Sequence, residues 1–243
     1  MDNSLNARSE KLERLSVPKT GMNDPYYLEY KFLFADLERA IKNYAAGEVL
    51  DIGCGNKPYR CFFEGKITGY TGCDIVQSSD GLVDVICPAT EIPLPDASKD
   101  TIFTTQVIEH VADHRKLLSE ASRILKPGGY IILSGPMAWE HHEVPHDFFR
   151  FTRYGFEWLL NEHGFAPVEI TPNGGKWALV GQLMLNSIRS SLEKKTLTRK
   201  VLRAFYFVFR IKWVINAIFS FLERSDKDYS STLNFVVVGR KNP

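Results

Sequence analysis

The sequence predicts an α/β fold, a mostly parallel sheet with helices on both faces, and three observations carry that expectation. Short β-branched, apolar runs alternate along the chain with longer segments whose apolar residues recur every three or four positions. The run Tyr130-Ile131-Ile132-Leu133-Ser134 is apolar without alternation, as a strand covered on both faces requires. Breakers such as Gly53-Cys54-Gly55 and Lys126-Pro127-Gly128-Gly129 separate the two kinds of segment.

The elements follow in order. Asn23 to Ala46 is helical, with Leu33, Leu37, Ala40 and Ile41 on one stripe. Val49-Leu50-Asp51 is a buried strand closed by the glycine turn. A second strand lies within Ile67 to Ile75, a third in Leu82 to Ile86 and a fourth in Thr101 to Thr105. Asp113 is placed to cap a helix that buries Leu117, Leu118, Ala121, Ile124 and Leu125 and stops at Lys126-Pro127-Gly128-Gly129. Residues 130–134 form the fifth strand. Thr152 caps a helix carrying Phe156, Leu159 and Leu160 that ends at Gly164; Val168 to Thr171 is the sixth strand and Leu233 to Gly239 the seventh. The interval of about 172–231 must hold inserted helices. The expected organisation is a flexible segment, residues 1–22, followed by one domain over 23–243.

With 243 residues, 44% hydrophobic and 24% charged, the chain is long enough for a full core. Thirty basic groups against 29 acidic ones leave a net charge of +1, so no global field marks a nucleic-acid partner. Cys54, Cys61, Cys73 and Cys87 form no CxxC pair, and a chain of this size needs no covalent staples; a reducing, cytoplasmic setting is expected. The N-terminus MDNSLNARSEKLERL is charged and lacks the apolar stretch of a secretory leader.

In open α/β sheets ligands bind beyond the carboxyl ends of the strands. The first such end is Asp51-Ile52-Gly53-Cys54-Gly55-Asn56-Lys57-Pro58, where two glycines let a ligand approach main-chain amides. This is not the dinucleotide fingerprint: Pro58 replaces the third glycine, and Asp51 would repel a diphosphate. An acid here suits a ligand's ammonium group. Asp74, 23 residues after Asp51 at the end of the second strand, stands where such sheets bind ribose hydroxyls. An ammonium group and an adenosine together describe S-adenosylmethionine rather than NAD.

VLDIGCGNKPY, then GCDI, then IPLPDASKDTIFTTQVIEHV, then LKPGGYIILSGP resembles the class I S-adenosylmethionine-dependent methyltransferases, type 11-like, from Val49 to Ile170 and again at the last strand. The resemblance implies a Rossmann-like seven-stranded sheet, mostly parallel, with an antiparallel last strand and the helical insertion before it. It also implies that Asp51, Gly53 and Gly55 line the methionine end of the cofactor. Asp74 would take the ribose hydroxyls, Ile75 would pack beside the adenine, and Gln106 would approach the methionine moiety. Many relatives carry an aspartate after the third strand that accepts from the adenine amino group; here Pro88 stands in its place, so backbone groups around Ala89 and Thr90 must serve.

Glu109 and His110 follow the fourth strand, either as bases toward a substrate or as packing and hydrogen-bonding residues. After the fifth strand, PHDFFRFT resembles a subset of these enzymes that act on small molecules, glycans and lipids. His146 carries an imidazole, the side-chain type suited to take a proton from an attacking hydroxyl or amine, with Asp147 and Arg150 orienting it or holding substrate. His141, His142, Glu143 and His146 match no closed zinc spacing, and HHEVPH is not HExxH, so no metal site is assigned to this loop.

Val201 to Leu222 holds 17 apolar residues in 22, with Ala204, Val208, Ile211, Ile215, Ile218 and Leu222 on one stripe of a continuous helix. Arg203, Arg210 and Lys212 would each cost about 3 kcal/mol near a bilayer centre, which disfavours a span. The stripe is expected first of all to pack on the sheet as core, while Phe205, Phe209 and Trp213 beside Arg199, Arg203 and Arg210 suit a membrane interface, a lipid-linked substrate or a second copy of the chain. The expected activity is methyl transfer (EC 2.1.1.-) to oxygen or nitrogen of a small molecule, a glycan, lipid-linked or other metabolite precursor, with peripheral contact on the inner membrane face. Two alternatives stand beside it. One is a cofactor-binding regulatory or scaffold protein without turnover, which Pro88 favours; the other is a protein methyltransferase.

Overall fold

The central strands divide their side chains between two apolar layers. Leu50, Ile131, Leu133 and Val237 point into one, while Val49, Ile132, Val236 and Val238 point into the other. This is the period of two that a pleated strand imposes, and a strand buried on both faces must be apolar at every position. The structure, a computed structural model, describes residues 15–193 and 196–243. Residues 1–14 of the expected flexible segment lie outside that description. Leu15, at its end, packs against the second layer, and Met22 accepts a hydrogen bond from Asn216 at 3.0 Å.

The strands are β1 (Gly47–Ile52), β2 (Ile67–Asp74), β3 (Val85–Ile86), β4 (Lys99–Thr105), β5 (Leu125–Pro136), β6 (Phe165–Asn173) and β7 (Asn234–Lys241). They form one sheet in the order β3-β2-β1-β4-β5-β7-β6. β1 to β5 pair in parallel, and β7 runs antiparallel between β5 and β6. The Rossmann-like sheet with an antiparallel last strand is therefore present. β5 begins five residues before the expected Tyr130: Lys126-Pro127-Gly128-Gly129 does not break it but is taken up where the β4–β5 register shifts between Lys99 and Thr101.

α1 (Tyr27–Tyr44) covers one face through Leu33, Leu37 and Ile41. α2 (His114–Ile124) and α3 (Arg153–Glu162) cover the other through Leu117, Leu118, Phe156 and Leu160. Both expected caps are present: Asp113 and Thr152 side chains accept from Lys116 N and Gly155 N, each at 3.1 Å.

Three helices fill the insertion: α4 (Lys176–Leu192), α5 (Leu197–Val208) and α6 (Ile211–Ser225). α4 comes close to α1 and α6 because Gly181 leaves room for Leu28 and Phe219, against which a Cβ would collide. The expected continuous helix over Val201–Leu222 is instead two, bent by 57° at Phe209-Arg210, with Arg210 left-handed at φ 49, ψ 40. The reason is tertiary. α6 is anchored by buried Asn216, which donates to Met22 O and Asp24 O at 3.0 Å. It is also held by Glu223, whose carboxylate accepts from Gly175 N at 2.6 Å and Ala178 N at 2.9 Å at the start of α4. α5 buries no residue and leaves in its own direction. No single helix among the described residues is long and apolar enough to cross a membrane; α5 and α6 reach that length only as the bent pair.

Candidate functional site

The order β3-β2-β1-β4-β5 turns outward in opposite directions from β1 and β4, which opens a crevice between the loops that follow them. A cavity of about 1170 Å³ lies there. It exceeds the roughly 300–1,000 Å³ typical of a pocket for one small ligand. Its walls come from residues at and after the ends of β1 (Gly53 to Asn56, Pro58 and Tyr59), β2 (Asp74 and Ile75), β3 (Cys87 to Thr90), β4 (Thr105 to Val107 and His110 to Asp113) and β5 (Trp139 to Glu143 and His146). Tyr26 just before α1, Glu29, Tyr30 and Leu33 of α1 and Arg189 of α4 complete it, with Leu15, Ser16 and Val17.

The glycine turn after β1 is built by backbone groups. Gly53 N and Cys54 N donate to Cys73 O at 2.8 and 3.0 Å, joining the turn to β2. Gly53 has φ 73, and a Cβ there would run into Val107, so both conformation and space require glycine. Gly55 N donates to Asp74 Oδ2 at 3.0 Å, which orients the carboxylate at the end of β2. Asp51 is 2% exposed and accepts from the Tyr70 hydroxyl at 2.5 Å. Burial pushes its carboxyl up to about 7, Tyr70 works against the shift, and Asp74 adds to it. Gln106 is held at φ 54, with Nε2 donating to Ser134 Oγ at 3.1 Å.

The loop after β5 arches over the other end. Arg150 donates to Asp147 Oδ1 at 2.6 Å and Oδ2 at 2.8 Å, a bidentate pair, and also to Glu140 O at 3.0 Å. Arg150 holds the Asp147 carboxyl well below the usual carboxylate range, and His142 N donates to the same carboxylate at 3.1 Å. The loop is tied to the end of β4 twice: Phe148 N donates to Glu109 O at 2.9 Å, and His110 Nδ1 meets His146 O at 2.8 Å. Glu140 pairs with Arg189 at 2.5 Å, and that guanidinium lies 5.1 Å from the Tyr26 ring, so α4 and α1 close the same end. Glu109 is fully buried, and burial pushes its carboxyl up to about 8.

Residues 50–133, from β1 to β5, match the family model described as a methyltransferase domain. Those residues form a class I S-adenosylmethionine-dependent methyltransferase domain. The chain is 27% identical over 143 residues to a probable S-adenosylmethionine-dependent methyltransferase of Mycolicibacterium smegmatis, covering 56% of this chain and 54% of that one. It is 30% identical over 104 residues to 27-O-demethylrifamycin SV methyltransferase of Amycolatopsis mediterranei, covering 37% and 38%. The chain thus spans about half or less of the length of these curated relatives. Among solved structures, the 4+2 cyclase SpnF superposes with a TM-score of 0.60 at 14% identity, covering 98% of this chain and 92% of that one. That likeness concerns the fold alone, and a cyclase on the same scaffold shows why the reaction must be argued from the site.

Asp51, Gly53, Gly55, Asp74, Ile75, Ala89, Gln106 and His146 all line this one cavity. Pro88 lines it too, without a side-chain acceptor. Asp147 and Arg150 do not. The Asp147 side chain is 2% exposed and engaged with Arg150 and the loop backbone, so the pair braces the loop instead of facing the cavity.

Several lining residues escaped the sequence reading. Glu29, 7% exposed with its carboxyl pushed up by burial to about 8, had a legible signal: it stands four residues before Leu33 on the apolar stripe of α1. Arg189 and Tyr59 had none, because their place depends on how α4 and the turn after β1 pack.

Proposed function

We propose that this chain transfers the methyl group of S-adenosylmethionine to an oxygen or nitrogen of a small-molecule acceptor, a glycan, lipid-linked or other metabolite precursor. The observation that carries this reading is the convergence, in one cavity, of the glycine turn with Asp51 and Asp74 and of the histidine-bearing loop after β5. The donor set fits the cofactor: a buried carboxylate for an ammonium group, a second carboxylate for ribose hydroxyls, and a turn that only glycine can make. S-adenosylmethionine supplies a methyl group on positively charged sulfur, already activated for departure.

In this reading Asp51, Gly53, Gly55 and Gln106 hold the methionine part and Asp74 accepts from the ribose. Ile75 and Ala89 flank the adenine, with backbone groups near Ala89 replacing the acceptor that Pro88 lacks. His146 accepts the proton released by the acceptor, while Asp147 and Arg150 are positioning residues that act through the loop. Much of the rate comes from holding donor and acceptor in line.

The charge of the lining narrows the acceptor. Asp51, Asp74, Asp113, Glu140 and Glu143 face one guanidinium, Arg189, among the described lining residues, and Glu29 is raised by burial to about 8. A neutral hydroxyl or an amine suits that field, and a phosphate at the reacting end does not. The test is incubation with methyl-labelled S-adenosylmethionine and a small-molecule extract. Label is expected in a low-mass product, and Asp51→Ala is expected to abolish it. Label in protein alone would overturn the small-molecule reading, and no transfer to any fraction would favour cofactor binding without turnover.

Peripheral contact with an anionic membrane belongs to the same proposal. α5 and the first half of α6 expose Val201, Phe205, Phe209 and Trp213, each between 41% and 65% accessible. Residues 196–222 carry Arg199, Lys200, Arg203, Arg210 and Lys212 and no acidic residue. Apolar side chains beside a basic edge match anionic headgroups over an acyl boundary. Wild type is expected to float with anionic vesicles and not with neutral ones, and Phe209→Ser/Trp213→Ser to reduce flotation about fivefold or more. Equal, negligible flotation of both proteins would assign this face to contact between copies.

A further inference from the structure

Three side chains from two loops meet at the cavity, His110 and His142 on its wall and Glu109 buried beside them. One ligand atom each from Glu109, His110 and His142 lies within 4.8 Å of the other two. Glu109 and His110 follow β4, whereas His142 comes from the loop after β5, so only the fold brings them together.

Glu109 is the decisive member. It is 0% exposed, and neither carboxylate oxygen receives a hydrogen bond from another residue among those described. A buried carboxyl group that no neighbouring residue bonds keeps its capacity as a ligand for a cation. Arg150 acts on it through space without forming an ion pair among the described residues, and His110 Nε2 lies 3.9 Å from Glu109 Oε1.

The two imidazoles are turned to suit a cation. His110 Nδ1 lies 2.8 Å from His146 O, and since a carbonyl only accepts, Nδ1 carries the proton there and Nε2 keeps its lone pair on the side of Glu109. His142 Nδ1 lies 3.3 Å from Glu140 O and 3.5 Å from Asp147 Oδ2, acceptors again, which directs the same tautomer. A second-shell oxygen on the far nitrogen is what orients imidazole ligands in metal sites. Glu143 Oε1, 3.9 Å from His110 Nε2, brings a second carboxylate, and two carboxylates balance a divalent charge.

We propose that Glu109, His110 and His142 form a binding site for one divalent transition-metal ion at the edge of the cavity. Two imidazoles and a carboxylate are the donor set of sites that leave a coordination position open, and zinc, manganese and ferrous iron all accept it. At the acceptor end of the cavity such an ion would polarise an acceptor oxygen and favour loss of its proton. That last role rests on the methyltransferase reading, whereas the binding of the ion does not.

The test uses the untagged full chain, stripped with a chelator and dialysed against Zn²⁺, with the metal measured by elemental analysis and with Co²⁺ as a spectroscopic probe. One ion per chain is expected, with visible Co²⁺ absorption bands. Glu109→Gln, close in shape, and His142→Ala, on the half-exposed loop, are each expected to weaken binding at least tenfold. His163→Ala, at the end of α3, is expected to leave it unchanged. S-adenosylhomocysteine binding, measured on the same samples, should stay within about twofold in His142→Ala, which separates loss of the metal from loss of the fold and from failure of the cofactor reading. Substoichiometric metal in wild type, or wild-type affinity in both Glu109→Gln and His142→Ala, overturns the proposal.

Discussion

Replacing Asp51 with alanine is expected to weaken S-adenosylhomocysteine binding about 100-fold, as read by calorimetry near pH 8. The carboxylate is 2% exposed and held by the Tyr70 hydroxyl at 2.5 Å. A charge-assisted hydrogen bond in such a place contributes about 1.5–3 kcal/mol, and the substitution also leaves the Tyr70 hydroxyl without its acceptor. Each 1.4 kcal/mol is tenfold in affinity, so about 3 kcal/mol gives the expected loss.

The pH dependence has a definite sign. Burial raises the Asp51 carboxyl to about 7 in the ligand-free protein, and a ligand's ammonium group favours the ionised form. Affinity is therefore full above pH 7 and falls as pH drops through 7. Asp51→Asn should flatten that profile, which separates Asp51 from the histidines of the cavity. A flat wild-type profile between pH 6 and 8 would remove Asp51 from the cofactor site. The same shift acts oppositely on the ligand-free fold: between the ordinary carboxylate value of 3.8 and about 7, the unfolded chain has released a proton that the folded chain retains. The contribution of Asp51 to stability thus declines as pH rises through that window.

Arg150→Met is expected to lower unfolding stability by about 3 kcal/mol and to abolish turnover, although Arg150 lines no part of the cavity. The substitution leaves the Asp147 carboxylate, 2% exposed, without the guanidinium that binds both its oxygens. It also removes the donors to Trp139 O and Glu140 O that shape the loop carrying His141, His142 and His146. The Asp147 carboxyl lies well below its ordinary value, so the pair's contribution is fully present at neutral pH and is lost as pH falls below the unfolded value of about 3.8. Urea unfolding at pH 7 and loop cleavage by a protease measure the two effects. An unchanged urea midpoint would mean that the pair contributes nothing to the loop.

How much was legible depended on the range of the physics. Asp51, Gly53, Gly55 and Asp74 were readable because they stand at strand ends, where local backbone geometry and the parallel sheet together dictate what a ligand meets. The caps at Asp113 and Thr152 were readable because a cap bonds an amide three residues away. Asp147 and Arg150 were readable as a chemically capable pair but not in their direction, since three residues of sequence do not say whether a bidentate pair faces a cavity or holds its own loop. Arg210 was misleading: the apolar spacing runs on through it, while the anchoring of α6 by Asn216 and Glu223 is written far away in Met22, Asp24 and α4.

By itself, the sequence determined the alternation of strands and helices, the glycine turn with its two acids, and therefore the class of fold and cofactor. These follow from side-chain period, backbone freedom and charge within a few residues, which act before any tertiary contact forms. Only the tertiary structure decided the rest. It set the bend between α5 and α6, closed the cavity with Glu29 and Arg189, and brought Glu109 and His110 against His142. Those arrangements depend on burial and on partners more than 30 residues apart, where the cost of an uncompensated polar group, not local propensity, selects the conformation.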